Sequence, residues 1–240
     1  MTDPILRTEG LTKHFDGVVA TNDVGISVPR GELRCIIGPN GAGKSTLFSL
    51  LCGIHQPDAG RVLLKDEDVT RLPAFRRVRR GIGLTFQTNR TFHRLSVRQN
   101  LSAVLQIVRA DRPADANDRY RFALDRFGLD PESEIPAKEL PHHRLQWLEI
   151  AMVLAAGPDI ILLDEPTAGM SIEETLQTAA VLKHLNSSGL TIVVVEHDVA
   201  FVRDVAQRIT VMHQGRVFAE GTVEEITEHV DVRRIYLGQA

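Results

Sequence analysis

Runs of consecutive apolar residues recur along the chain. The main ones are Leu33-Arg-Cys-Ile-Ile37, Ile82-Gly-Leu-Thr-Phe-Gln87, Ile160-Ile-Leu-Leu163 and Thr191-Ile-Val-Val-Val195. Short runs of this kind predict strands buried inside a sheet. After the first of them, Thr46-Leu-Phe-Ser-Leu-Leu-Cys52 carries helical spacing, which predicts a strand, a loop and a helix in succession. The first 30 residues alternate weakly and are punctuated at Asp16-Gly17 and Pro29-Arg-Gly31, as expected of a small antiparallel sheet. Pro57-Asp-Ala-Gly60 reads as a turn, Arg61-Val-Leu-Leu-Lys65 as a strand and Asp66-Glu-Asp68 as an exposed bend. From about residue 88 to 155 the pattern is helical, interrupted by a polar, proline-containing connection over residues 109–117. Residues 209–215 and 216–220 read as a hairpin-like pair, and an amphipathic tail follows over residues 223–237.

The pattern thus predicts an α/β fold. Residues 1–87 and 156–240 form a core that includes an N-terminal antiparallel β-subdomain, and residues 88–155 form an inserted helical subdomain. A chain of 240 residues is long enough to bury such a core without staples. A formal net charge of -3 gives no general electrostatic reason to bind nucleic acid, which is not expected as a partner. Cys35 and Cys52 lie inside apolar runs and read as small buried hydrophobes. No stretch has the form of a signal peptide or the roughly 18 apolar residues needed to span a bilayer. The chain is therefore expected to be cytosolic, or to reach a membrane through a partner. Arg76-Arg-Val-Arg-Arg80 places four charges on a predicted helix. Such a cluster can meet phosphate or lipid headgroups, but a solvated face is the simpler expectation, and no site is assigned to it.

Chemistry enters at Gly38-Pro-Asn-Gly-Ala-Gly-Lys-Ser45, which fits the phosphate-loop pattern and sits between the predicted strand and helix. Gly38, Gly41 and Gly43 let backbone N–H groups approach a phosphate chain, and the helix start adds its positive dipole end. Pro39, Asn40, Ala42 and Thr46 complete the expected nucleotide site, with Lys44 on the β- and γ-phosphates and the Ser45 hydroxyl on Mg²⁺. ATP and Mg²⁺ are the expected ligands. At the end of the Ile160 strand, Asp164 and Glu165 reach the crevice where open α/β sheets place ligands. Asp164 is expected to hold Mg²⁺ through its water shell, and Glu165 to act as general base toward the attacking water. His197 follows the Thr191 strand, where it can either hydrogen-bond a γ-phosphate and the attacking water or simply cap the strand. Gln87 ends its own strand within reach of a metal, a water or a γ-phosphate. Phe15 offers a ring to an adenine, although position alone favours packing in the core.

With these motifs in this order, the chain resembles the ATP-binding subunit of an ABC transporter over essentially its whole length. The stretches 31–44 and 81–87, Gln146-Trp-Leu-Glu-Ile150 and Asp164-Glu-Pro-Thr-Ala-Gly-Met170 are similar to importers of branched-chain amino acids and urea, most of all to the urea type. The resemblance implies a P-loop NTPase core of the ABC ATPase kind. It places Phe15 on the adenine, Gln87 between Mg²⁺ and the transport-coupling loop, and His197 as a catalytic switch histidine. It also implies transmembrane permease subunits and a solute-binding protein, with the chain held peripherally at the cytoplasmic face of the membrane.

One stretch departs from that family. Where members carry Leu-Ser-Gly-Gly-Gln or Leu-Ser-His-Gly-Gln, contacting the γ-phosphate held by the opposite subunit, this chain has Leu140-Pro-His-His-Arg144. Pro141 lacks both a hydroxyl and a backbone N–H, His143, next to His142, adds a side chain where close approach wants glycine, and Arg144 replaces Gln. Ser171 stands where many relatives have Asp. The expected assembly therefore pairs this chain with a second, different ATPase subunit, one site being competent and the other weak. In the alternative, a homodimer, Arg144 and the two histidines compensate, since an arginine can neutralise a γ-phosphate. Other readings are the ATPase of a lipid or lipopolysaccharide exporter and a non-transport nucleotide switch. The chain lacks the paired modules or long heptads that the latter usually carries.

Overall fold

The computed structural model describes residues 3–86, 89–106 and 111–236. Strands β1 (Pro4–Phe15), β2 (Val18–Val24), β3 (Ser27–Pro29) and β4 (Leu33–Ile37) lead into helix α1 (Lys44–Cys52). Next come β5 (Ala59–Leu64), β6 (Glu67–Asp68), α2 (Ala74–Val78) and β7 (Ile82–Leu84). A helical segment follows, with α3 (Val97–Leu105), α4 (Ala116–Arg126) and α5 (His142–Ala155). The chain then returns through β8 (Ile160–Asp164), α6 (Ile172–Ser187), β9 (Thr191–Val195), α7 (Val199–Val205), β10 (Arg208–His213) and β11 (Arg216–Gly221), and closes with α8 (Val223–Glu228) and α9 (Val230–Tyr236).

Two sheets result. In one, β1 pairs antiparallel with β2, β3 and β5, and β5 with β6. The other runs β11-β10-β4-β9-β8-β7, parallel throughout except for β11 at its edge. The parallel strands are apolar on both faces because each face has its own cover. Ile36, Leu162 and Val193 pack with α1 and the antiparallel sheet. Their neighbours Cys35, Leu163 and Val194 point the other way, into a core shared with α5, α6 and α7. Both cysteines are buried and free, and burial pushes both thiols up.

The predicted hairpin at Asp16-Gly17 forms, with both residues at positive φ (44° and 88°). That is the two-residue turn whose twist matches the strands it joins. Gln214-Gly215 closes β10 onto β11 in the same way, at 47° and 75°. Three expectations change in detail. The bend over residues 66–68 is tighter, because Lys65 and Asp66 turn at positive φ and Glu67–Asp68 already pair with β5. The strand expected over residues 82–87 ends at Leu84, and Gln87 lies outside the described residues. The tail is two short helices, since His229 is extended (φ -68°, ψ 113°) and ends α8.

The basic cluster differs in kind. Arg77 is fully buried rather than on a solvated face. Its guanidinium donates from Nη1 to the carbonyls of Leu50 (2.6 Å) and Leu51 (2.7 Å), from Nη2 to Thr70 (2.9 Å) and from Nε to Leu72 (3.0 Å). The last turn of a helix leaves carbonyls without partners inside the helix, and Arg77 supplies donors to those of α1. Burial lowers its pKa to about 10, so it stays cationic at neutral pH.

Candidate functional site

The loop between β4 and α1 wraps a cavity of about 450 Å³ lined by residues 18–20, residues 40–46 and Glu165. Its curvature depends on glycine. Gly41, on the cavity wall, turns at φ 78° with open space where a Cβ would stand, so the left-handed backbone rather than crowding asks for glycine there. Gly43 caps α1 in the left-handed region (φ 97°), and a Cβ there would lie 2.3 Å from the Ala20 carbonyl oxygen. No larger residue fits that approach. Lys44, the first residue of α1, is buried, and its Nζ donates to the carbonyls of Gly38 (2.7 Å) and Pro39 (3.1 Å). Burial lowers its pKa, and the carboxylates of Glu165 and Asp164 oppose that shift. The loop therefore offers N–H groups, a helix N-terminus and one ammonium group to a phosphate chain.

Strand β8 brings the acids to the same place. Asp164 pairs in register with Val195, and the Glu165 N–H donates to the Val195 carbonyl at 2.9 Å. Glu165 sits at φ 49°, a conformation that costs a non-glycine residue energy and that clusters at functional sites. The turn directs Glu165 to the cavity wall. Burial raises the Asp164 pKa to about 6, helped by the charges of Glu165 and Glu196 and opposed by Lys44. Among the described residues no group of three or more His, Cys, Asp or Glu is placed to hold a metal by itself, so Asp164 and the Ser45 hydroxyl fit Mg²⁺ only together with the oxygens of a phosphate chain. His197, just past β9, places Nδ1 3.6 Å from Glu165 Oε1 and 3.8 Å from Glu196 Oε2. Two strands thus deliver to one spot a histidine and an acid that are 32 positions apart.

Phe15 is 38% exposed, so it is not a core residue. It ends β1 opposite Val18, which lines the cavity, and meets the His55 ring edge-on at 5.3 Å. The turn carrying Leu140, Pro141, His142, His143 and Arg144 contributes nothing to the cavity lining. Pro141 occupies the N-cap of α5 and supplies no side-chain cap, while His142 and Arg144 are exposed.

Glu196 escapes a reading of the sequence. It is 1% exposed, and its Oε1 accepts from the Thr167 hydroxyl (2.6 Å) and N–H (3.2 Å), while Oε2 accepts from the N–H groups of His197 (2.9 Å) and Asp198 (3.4 Å). A buried carboxylate needs such donors, and here they come from the loops after both strands. A carboxylate continuing an apolar run is the available signal. Glu149 on α5 is a second case. It accepts from the Arg90 N–H at 3.3 Å, and burial raises its pKa to about 7.

The family profile described as "ABC transporter" matches residues 21–168. The chain belongs to that family. As an ABC ATPase it joins a P-loop core to an antiparallel sheet and a helical segment. It is 38% identical over 235 residues to "Lipopolysaccharide export system ATP-binding protein LptB" of Escherichia coli (strain K12), covering 98% of this chain and 97% of that one. It is 36% identical over 255 residues to "High-affinity branched-chain amino acid transport ATP-binding protein LivG" of the same strain, covering 100% of both. The ADP conformation of MJ1267, an ATP-binding cassette of an ABC transporter, superposes with a TM-score of 0.84 at 28% identity, over 99% of this chain and 100% of that one. Among the described residues of this ABC ATPase, no helix is long and apolar enough to cross a membrane.

Proposed function

We propose that this ABC ATPase powers an importer of branched-chain amino acids, urea or related small amides, docked through permease subunits at the cytoplasmic face of the membrane. A solute-binding protein and a second, different ATPase subunit complete the proposed assembly. The observation that carries the enzymatic part is that Lys44 and Glu165 line one cavity, with the Asp164 charge acting on Lys44 and His197 Nδ1 3.6 Å from Glu165 Oε1.

In this reading the N–H groups of residues 38–46 cradle the phosphates of ATP, Lys44 neutralises the β- and γ-phosphates, and Phe15 stacks on the adenine. Ser45, Asp164 and Gln87 would hold Mg²⁺, which would neutralise charge on the phosphate oxygens. Glu165 takes the proton of the attacking water, and His197, 3.6 Å from it, orients that water against the γ-phosphate. Glu196 fixes the two loops so that Glu165 and His197 keep their separation. The Leu140–Arg144 turn faces the nucleotide of the second subunit. Without a serine hydroxyl, and with the Pro141 N–H missing, it completes that site poorly.

The 36% identity to the branched-chain amino acid protein supports import, as does Gln146-Trp147 in the α5 sequence. The comparable identity to the lipopolysaccharide export protein favours an exporter as the second reading. The test is reconstitution with each candidate permease pair and the second ATPase in proteoliposomes. Import predicts ATP turnover stimulated by solute-loaded binding protein and unmoved by lipopolysaccharide; the reverse pattern rejects import.

A further inference from the structure

The Leu140–Arg144 turn is tied to this chain's own carboxylate loop through a side chain that the hydrolysis chemistry does not use. His143 Nδ1 lies 2.7 Å from Glu174 Oε1 on α6. Glu174 Oε2 accepts from the Ser171 N–H at 2.8 Å, and Ser171 Oγ accepts from the Glu174 N–H at 3.3 Å, so the same acid caps α6 and holds His143. The His143 ring also stands edge-on to Trp147, with centroids 4.8 Å apart.

From Trp147 the bonds continue toward Glu165. Trp147 Nε1 donates to Thr178 Oγ1 at 2.9 Å, and that hydroxyl lies 2.8 Å from the Glu174 carbonyl and 3.4 Å from Met170 Sδ. The Met170 N–H donates to the Thr167 carbonyl at 3.1 Å, and the Ala168 N–H to the Glu165 carbonyl at 3.2 Å. The path joins two helix N-termini, those of α5 and α6, which lie next to the turn and the carboxylate loop respectively. Packed, hydrogen-bonded chains of this kind are what carries coupling between sites, provided that ligand binding biases them.

We infer that His143 is a positioning residue that couples the loop following Glu165 to the first turn of α5. Nucleotide in this chain's own cavity is thereby felt at the Leu140–Arg144 turn. The inference rests on the nucleotide reading of the cavity and is independent of which subunit the turn faces. It also gives Ser171 a purpose: its hydroxyl caps α6 and leaves Glu174 in place to receive His143.

The chain has a single tryptophan, and Trp147 is in contact with His143, so the junction reports itself. The experiment titrates the purified chain with ATP in EDTA, which removes divalent metal and stops turnover. Trp147 emission and ATP binding by equilibrium dialysis are followed in parallel. The expected result is a saturable emission change whose midpoint matches the dialysis midpoint. His143→Phe and Glu174→Ala lose that change while still binding ATP. His143→Gln, which keeps a donor for Glu174, retains it and guards against simple misfolding of the turn. A full-size change in His143→Phe overturns the inference, as does a wild-type chain that binds ATP without moving Trp147. Absence of ATP binding in dialysis overturns the nucleotide reading beneath it, a failure distinguishable from the others.

Discussion

Glu165→Gln is expected to lower ATP turnover of the two-ATPase complex by about 10²- to 10⁴-fold, the range contributed by a positioned general base. The affinity for ATP should stay essentially unchanged. The substitution keeps the shape of the side chain, the left-handed backbone at φ 49° and the N–H bond to Val195. It removes only the basic oxygen that lies 3.6 Å from His197 Nδ1. Binding is carried by the loop before α1 and by Lys44, whose bonds to the Gly38 and Pro39 carbonyls the change leaves in place. Loss of kcat without a rise in KM is the signature of an interaction made only in the transition state. Phosphate release measured across an ATP titration checks both halves. A variant that loses affinity but keeps kcat would reassign Glu165 to binding.

Arg77→Ala is expected to destabilise the fold by about 3–5 kcal/mol, a large share of the roughly 5–15 kcal/mol that holds a domain together. Each buried carbonyl left without a donor costs about 1–3 kcal/mol, and the cavity left by the side chain adds to that. Four carbonyls are involved, although Leu50 keeps a 3.3 Å bond from the Gly53 N–H. Arg77→Lys should recover only part of the loss, because a compact ammonium does not reproduce the planar fork that reaches four acceptors. Urea unfolding reads the result as a lower midpoint at constant slope. A midpoint shift in Arg77→Ala no larger than that of Arg76→Ala, an exposed neighbour, would mean that the buried network contributes nothing.

These two residues show where sequence is readable. The apolar runs predict the parallel strands because strands covered on both faces have few alternatives, and the phosphate loop carries its own chemistry in eight consecutive residues. The positions of Asp164 and Glu165 are readable for the same reason, since one ends a buried strand and the other directly follows it, and His197 lies two residues past the end of another. Arg77 is not, because only the docking of α2 beneath the end of α1 makes it a cap, and in the sequence it is one arginine among four. Glu196 hides in a similar way, since its donors at Thr167 and His197 lie 29 positions and one position away. Position alone misplaces Phe15, because a two-residue turn at Asp16-Gly17 carries the end of β1 out to solvent. The break in the tail depends on one residue, His229, whose extended backbone has no marker such as glycine or proline.

In the proposed assembly this chain supplies a competent carboxylate site and a poor Leu140–Arg144 turn, so that it needs an unlike partner. The most direct measurement is steady-state ATP turnover by the purified chain, alone and then mixed with the second ATPase. An asymmetric assembly predicts weak turnover alone, a large rise on mixing, and loss of that rise when Glu165 is changed to Gln in this chain. Equal turnover per site without any partner, still abolished by Glu165→Gln, would mean that the Pro141-containing turn completes a site by itself, and would contradict the asymmetric assembly.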